Sequence, residues 1–358
     1  MFVIVMRGQR WSKLLGVILA LALFACAPPA HRGDAQAARH NLPTTWEAFD
    51  LAASELAERV SFLAAEITQG TCQTVHGLDP LASLAVGSSF KLYILGELAE
   101  QIAGRSPSAL WQARWDGPLA IQAQFKSVPH GDLFFVPDGT LFTVRYFAEQ
   151  MIQRSDNTAT DHLLFLLGRQ RVEQRMAAMG HHDPSLNRPL FATRELAIIK
   201  FLYTDQELAT YFAASDAGKR QILANEKRGF AELEAFFEQH GVPTTPTRID
   251  TIEYFADRFD MCRTLMALHQ VAKDWRLQPV AEALTLADPL GIDREDWIYV
   301  GFKGGSEVGV LAGNWLLQRK DGRLFVMSVA FNDRFKALDT LRIVEILQAA
   351  VKILFTTP

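Results

Sequence analysis

The sequence is poor in the features that mark several large protein classes. It has three cysteines among 358 residues, and none stands at a spacing with histidine that would ligate a metal. The nine histidines are scattered, and the adjacent pair His181-His182 reads as exposed loop rather than a metal site. No cofactor and no metal is therefore expected. No internal repeat is present, which excludes solenoids and propellers. A net charge of −4 gives no basic footprint for nucleic acid. The unbroken apolar run Leu14–Phe24 is too short to cross a bilayer comfortably. What remains is ordinary for a globular enzyme, with 49% hydrophobic and 21% charged residues. The length suits one large domain or two small ones.

The N-terminus reads as a targeting segment over residues 1–25. Arg7, Arg10 and Lys13 form a positive region ahead of the apolar run, the order of a secretory signal. The run ends Leu23-Phe24-Ala25-Cys26, which resembles a bacterial lipobox, although Phe24 is unusual there. Two outcomes follow. Either Cys26 becomes a lipid-bearing N-terminus, or cleavage near 25–30 releases a soluble protein. Residues 26–42 carry two prolines with small and charged residues and read as a tether. The expected location is the periplasm or cell envelope, with membrane contact only through such an anchor. In that oxidising compartment Cys72 and Cys262 could pair, but the sequence does not place their Cα atoms within bonding range.

Past the tether, strands come early and late with helices between. Thr45-Trp46-Glu47 opens a helix expected to reach about Arg59. Residues 60–68 and 71–77 read as strands joined at Gln69-Gly70. Helices are expected over 143–152, 158–167, 172–179, 193–203 and 261–275, and residues 205–260 are polar and helical with interruptions. Three strands follow at 297–303, 309–319 and 323–332, with Asp321-Gly322 as a tight hairpin, and then a helix over 334–354. This predicts an α+β fold, a mainly antiparallel sheet with the first and last helices on one face and an inserted helical lobe on the other. The catalytic domain would span 43–358, with its α/β part at about 43–87 and 295–358 and the lobe at about 88–294. A monomer is expected.

Three short motifs carry chemistry. Gly87-Ser88-Ser89-Phe90-Lys91 opens an amphipathic run to about Gly104, and positions i and i+3 share a helix face. The Ser88 hydroxyl and the Lys91 amine can thus meet in one pocket. A serine needs an adjacent base to attack, and a desolvated lysine can lose its charge and serve. The helix start adds N–H groups beside the oxygen that turns anionic. Ser155-Asp156-Asn157 and Lys303-Gly304-Gly305 follow in order. Each motif alone has a plain structural meaning, as a helix start, a helix cap and a strand end.

Together, S-x-x-K, S-D-N and K-[TSG]-G form the signature of the serine β-lactamases and penicillin-binding proteins. The chain resembles that superfamily, class A-like, over about 43–355, including the run 151–168 around Ser155. The resemblance implies Ser88 as the acylating nucleophile and Lys91 as its base. It implies Ser155 as the proton relay to the leaving atom and Lys303 as the electrostatic anchor for Ser155 and a substrate carboxylate. Asn157 would bind the substrate amide, Gly305 would lie along the substrate, and the N–H groups of Ser88 and Ser306 would form the oxyanion hole.

Two departures stand out. Gly304 lacks the hydroxyl that many relatives place second in the triplet, and Ser306 or Glu307 is the nearest replacement. The glutamate that class A enzymes carry on an Ω-shaped loop is missing from 181–192, where Asp183 is the only carboxylate and a structural role suits it better. Glu195 reads as a first-turn partner of its own helix. Acylation is equipped and deacylation is not, with Lys91 or a residue of 205–260 left as the source of a second base. The expected function is a secreted serine hydrolase opening β-lactams through an acyl-enzyme, slowly, with antibiotic resistance as its consequence. The alternatives are an esterase or DD-peptidase-like enzyme acting on another acyl compound, and a non-enzymatic penicillin-binding envelope protein.

Overall fold

The late strands do not alternate between buried and exposed residues; they are buried almost throughout, because helices cover both faces of their sheet. The computed structural model describes residues 42–104, 114–128 and 130–357. The signal segment, Cys26 and nearly all of the tether lie outside them. The main sheet contains β1 (Arg59–Thr68), β2 (Thr71–Leu78), β7 (Trp297–Glu307), β8 (Val310–Arg319) and β9 (Leu324–Asn332) in the order β2-β1-β9-β8-β7, all antiparallel. Gln69 and Gly70 both take positive φ, the turn that matches strand twist in a two-residue hairpin.

One face carries α1 (Trp46–Ser54) and α12 (Thr340–Phe355), where Phe49 and Ala53 meet Ile343, Ile346 and Ala350 over Phe62 and Phe331. The other face carries the helical lobe. In chain order the lobe holds β3 (Leu84–Ala85), a 3₁₀ turn (Gly87–Phe90), α2 (Lys91–Ile102), β4 (Pro118–Ala120), β5 (Leu141–Thr143), α3 (Val144–Gln153), α4 (Asn157–Leu167) and α5 (Arg169–Ala178). It continues with α6 (Thr193–Leu202), α7 (Asp205–Ala213), α8 (Asp216–Asn225), α9 (Phe230–His240), β6 (Phe255–Ala256), α10 (Arg258–Val271) and α11 (Gln278–Leu284). The fold is the expected α+β arrangement.

Several ends move, each for a local reason. The first helix stops at Ser54 because the chain must be extended by Arg59 to pair with Asn332. The last begins at Thr340, where the Asp339 side chain accepts from the Arg342 N–H. The helix read from Met261 starts at Arg258 under an Asp257 cap. Past Thr193 the chain runs through α6, α7, α8 and α9 before it reaches β6, which pairs with β3. The 205–260 stretch is therefore part of one enlarged excursion that lies beside Ser88.

Cys72 on β2 and Cys262 on α10 are joined, with Cα atoms 6.4 Å apart and 190 residues between them. The bond ties the sheet edge to the lobe. A cross-link closing so long a loop removes much unfolded-chain entropy and typically contributes about 2–4 kcal/mol. The protein from Pro43 onward, which lacks Cys26, should show no free thiol under non-reducing denaturation and two after reduction. Cys72→Ser with Cys262→Ser should lower unfolding stability by about 2–4 kcal/mol in urea titration. Two free thiols without reductant would refute the link.

Candidate active site

Ser88 sits in the 3₁₀ turn rather than in the first turn of α2. Gly87 ahead of it takes φ +48, and the Val86 N–H donates to the Tyr254 carbonyl at 2.8 Å, so β6 holds the turn from below. β7 presses on it from the side. A Cβ on Gly305 would collide with the Ser88 backbone N and the Val86 carbonyl, so only glycine lets the strand approach. That approach brings the backbone of Ser306 and Ser88 to one edge of a cavity.

Ser155 is held in the left-handed region, φ 54, which is uncommon for a non-glycine residue. The turn is closed by the Asp156 N–H donating to the Gln150 carbonyl. Asp156 caps α4 by accepting from the Ala159 N–H at 2.7 Å, and its second oxygen accepts from the Leu133 N–H at 2.9 Å. Burial raises its carboxyl pKa, with those two N–H groups opposing. The result is a Ser155 side chain aimed at two lysines. Lys91 Nζ donates to Ser155 Oγ at 3.1 Å, to the Ser155 carbonyl at 2.5 Å and to Asn157 Oδ1 at 2.8 Å. Lys303 Nζ donates to the same Ser155 Oγ at 3.0 Å.

Both lysines are fully or almost fully buried. Burial pulls Lys91 down to about 7. It pulls Lys303 well below its ordinary value too, and the Lys91 charge adds to that shift. His130 faces the same pair. Burial first, then Lys91 and Lys303, push its ring down to about 3, so it is neutral at physiological pH. Beneath the strand, Asn314 donates to the Lys303 carbonyl and to Ser89 Oγ, and accepts from Ser328 Oγ.

A cavity of about 240 Å³ brings Ser88, Ser155, Asn157, Lys303, Gly305 and Ser306 together, with Lys91 bonded behind Ser155 and Asn157. Gly304 has a packing cause. A Cβ there would lie 2.7 Å from Phe302 Cζ and 2.9 Å from the Ala312 carbonyl. Glu307 does not replace the missing hydroxyl. It is drawn to Lys200 at 2.5 Å, and Lys200 also contacts Glu253 at 3.3 Å. Burial works against the Lys200 charge, but the two carboxylates outweigh it and raise its pKa. Burial pushes Glu307 up to about 8 against the pull of Lys200. Among the described residues these two glutamates are the only carboxylates lining the cavity. Asp183 lies outside the lining and accepts from Ser185, and Glu195 accepts from the Ala192 N–H and pairs with Arg169.

The sequence reading missed His130, Lys200 and the pairing of Glu253 with Glu307. Nothing in their local sequence sets them apart; only Glu253 falls in the stretch already suspected. No group of His, Cys, Asp and Glu among the described residues could hold a metal.

The beta-lactamase enzyme family model matches residues 47–227, half of the chain. The chain belongs to that family. No curated protein sequence matches it. Solved structures extend the likeness over nearly the whole fold. A β-lactamase from Sphaerobacter thermophilus is 18% identical with a TM-score of 0.58, covering 87% of this chain and 97% of that one. A β-lactamase from Desulfarculus baarsii is 16% identical with a TM-score of 0.57, covering 86% and 96%. A mutant of the penicillin-binding protein PBP-A, solved as an acyl-enzyme with penicillin G, is 12% identical with a TM-score of 0.54, covering 86% and 95%. At these identities the structures establish a shared β-lactamase fold.

The site depends on the loop at Gly131 reaching Asp156. Gly131 has φ +89, and a Cβ on it would collide with the Asp156 carboxylate. Gly139 has φ +81 but nothing within 4 Å. Gly131→Ala should therefore destabilise by about 2–3 kcal/mol and Gly139→Ala by about 1 kcal/mol in denaturant titration. Equal losses would sink this account of the loop.

Proposed function

We propose that the protein is an exported serine hydrolase of the β-lactamase type, class A-like, that opens β-lactams through an acyl-enzyme on Ser88 and deacylates slowly. The observation that carries this is Ser155 Oγ accepting from both Lys91 and Lys303 in the cavity that holds Ser88. A Lys91 pKa of about 7 leaves a useful fraction of neutral amine at neutral pH. In acylation, Ser88 Oγ attacks the lactam carbonyl as its proton passes to Lys91 Nζ. The carbonyl oxygen turns anionic against the N–H groups of Ser88 and Ser306, a contact typically worth about 3 kcal/mol per donor. The C–N bond then breaks. The leaving nitrogen takes the Ser155 Oγ proton, which Lys91 replaces. A substrate carboxylate beside Lys303 would restore the charge that burial disfavours there.

Deacylation needs a base for water. The two carboxylates in the cavity are committed to Lys200, so the acyl-enzyme is expected to persist. That commitment also favours a second reading, a penicillin-binding envelope protein or DD-peptidase-like enzyme that acylates and releases little. An esterase of the same fold is the remaining alternative. Intact-protein mass spectrometry of the signal-less protein with a penicillin and a chromogenic cephalosporin separates these. A Ser88 adduct that turns over with product release, however slowly, supports the hydrolase, and an adduct that forms once with no product released supports the second reading. Neither should form on Ser88→Ala. The acylation rate should fall about tenfold per pH unit below about 7 and level off above it, because only neutral Lys91 accepts the proton. A pH-independent rate, or turnover by Ser88→Ala, would defeat the mechanism.

Export through residues 1–25 to the periplasm or cell envelope belongs to the same proposal, with a lipid on Cys26. Cys26→Ala should move the protein from the membrane fraction to the soluble periplasm. Unchanged partition would remove the anchor from the proposal.

A further inference from the structure

The cavity does not end at the catalytic groups. One face of α6, at Thr193, Leu196, Ala197, Lys200 and Phe201, lines it at helical spacing. Opposite, α9 contributes Phe230 and Phe237, two turns apart on one face, and Val242 and Pro243 follow from the loop beyond. Phe237 packs on Phe201 with ring centroids 5.2 Å apart, and Phe230 on Phe134 at 4.6 Å. Phe201, Phe230 and Phe237 are half-buried and line the cavity. The reacting end is lined by Ser88, Ser155 and Lys303. The arm away from it is walled chiefly by carbon, and its charges are drawn together at Lys200.

We infer that this arm is a subsite for an extended apolar group on the acyl side of the substrate, so that the protein selects acyl compounds with a hydrocarbon or aromatic acyl chain over short or polar ones. The inference rests on the reading of Ser88 as the acylated residue. Half-buried aromatic rings around a cavity lose water when an apolar chain enters, and each methylene so buried contributes about 0.8 kcal/mol, close to a fourfold gain. The α9 wall comes from the enlarged excursion between α5 and α10, so the preference is a property of that inserted chain rather than of the three motifs.

The test uses one penicillin nucleus N-acylated with acetyl, butyryl or octanoyl chains. The second-order rate of Ser88 adduct formation is followed by mass spectrometry. A rise of roughly tenfold from acetyl to butyryl, continuing to octanoyl, supports the inference. Equal or falling rates overturn it while leaving Ser88 acylation intact. If no adduct forms with any of the three, the Ser88 reading fails, and calorimetric binding to Ser88→Ala decides the inference alone. Octanoyl binding at least tenfold tighter than acetyl sustains it, and equal affinities overturn it. Val242→Trp, which fills the arm, should cut the octanoyl advantage at least tenfold. Phe230→Ala, which opens the wall, should flatten the chain-length series. An undiminished octanoyl advantage in both variants would place the chain elsewhere and refute the assignment.

Discussion

Two buried lysine amines converge on one hydroxyl, and much of the lobe exists to make that tolerable. Removing a lysine charge from water is costly, and two side by side cost more. The protein answers with acceptors. Ser155 Oγ, the Ser155 carbonyl and Asn157 Oδ1 receive Lys91, while Ser155 Oγ and the Gly304 carbonyl receive Lys303. These acceptors come from the turn between α3 and α4 and from β7, and the lysines from α2 and β7. Four elements must therefore meet within hydrogen-bonding distance. The left-handed Ser155, the Asp156 cap and the glycine at 131 are the local means of holding that meeting. The compensation is incomplete, and burial still pulls Lys91 down to about 7.

The second constraint is the approach of β7 to the nucleophile turn. Gly305 has no room for a side chain, and Gly304 has none either, for a different reason: Phe302 and the Ala312 carbonyl already fill the space. The missing hydroxyl of the triplet thus follows from packing on β7. The same strand carries Lys303 toward Ser155 and, four residues on, Glu307 toward Lys200, since alternate positions share a face. One strand thereby joins the catalytic end of the cavity to the charged cluster on its far side.

The excursion between α5 and α10 reshapes what surrounds this centre. It ends at β6, where the Tyr254 carbonyl accepts from Val86 and the Tyr254 ring stacks on Phe90. The added helices are anchored at the base of the nucleophile turn. They bring the hydrocarbon of Phe230 and Phe237 to the cavity, and the loop that follows brings Glu253 to Lys200. Both glutamates that line the cavity thus contact Lys200.

The strands were legible because their boundaries are local: Gln69-Gly70 and Asp321-Gly322 are turn chemistry, and β-rich runs flank them. The motif serines and lysines were legible because a helix start, a cap and a strand end place side chains by spacing alone, and Ser88, Ser155 and Lys303 do line one cavity. The disulfide stayed open because 190 residues separate its cysteines, and only the packing of α10 on β2 brings them together. The helices of 205–260 were legible, but their place beside Ser88 was not, because the pairing of β6 with β3 brings them there. His130, Lys200 and Glu253 carry no local mark, since each acquires its role from neighbours distant in sequence. Sequence was enough to mark the three motifs and their order, because spacing within a turn or strand sets that. Only the tertiary structure decided which charges are buried together and what walls the cavity, because burial and pairing are properties of contacts between segments.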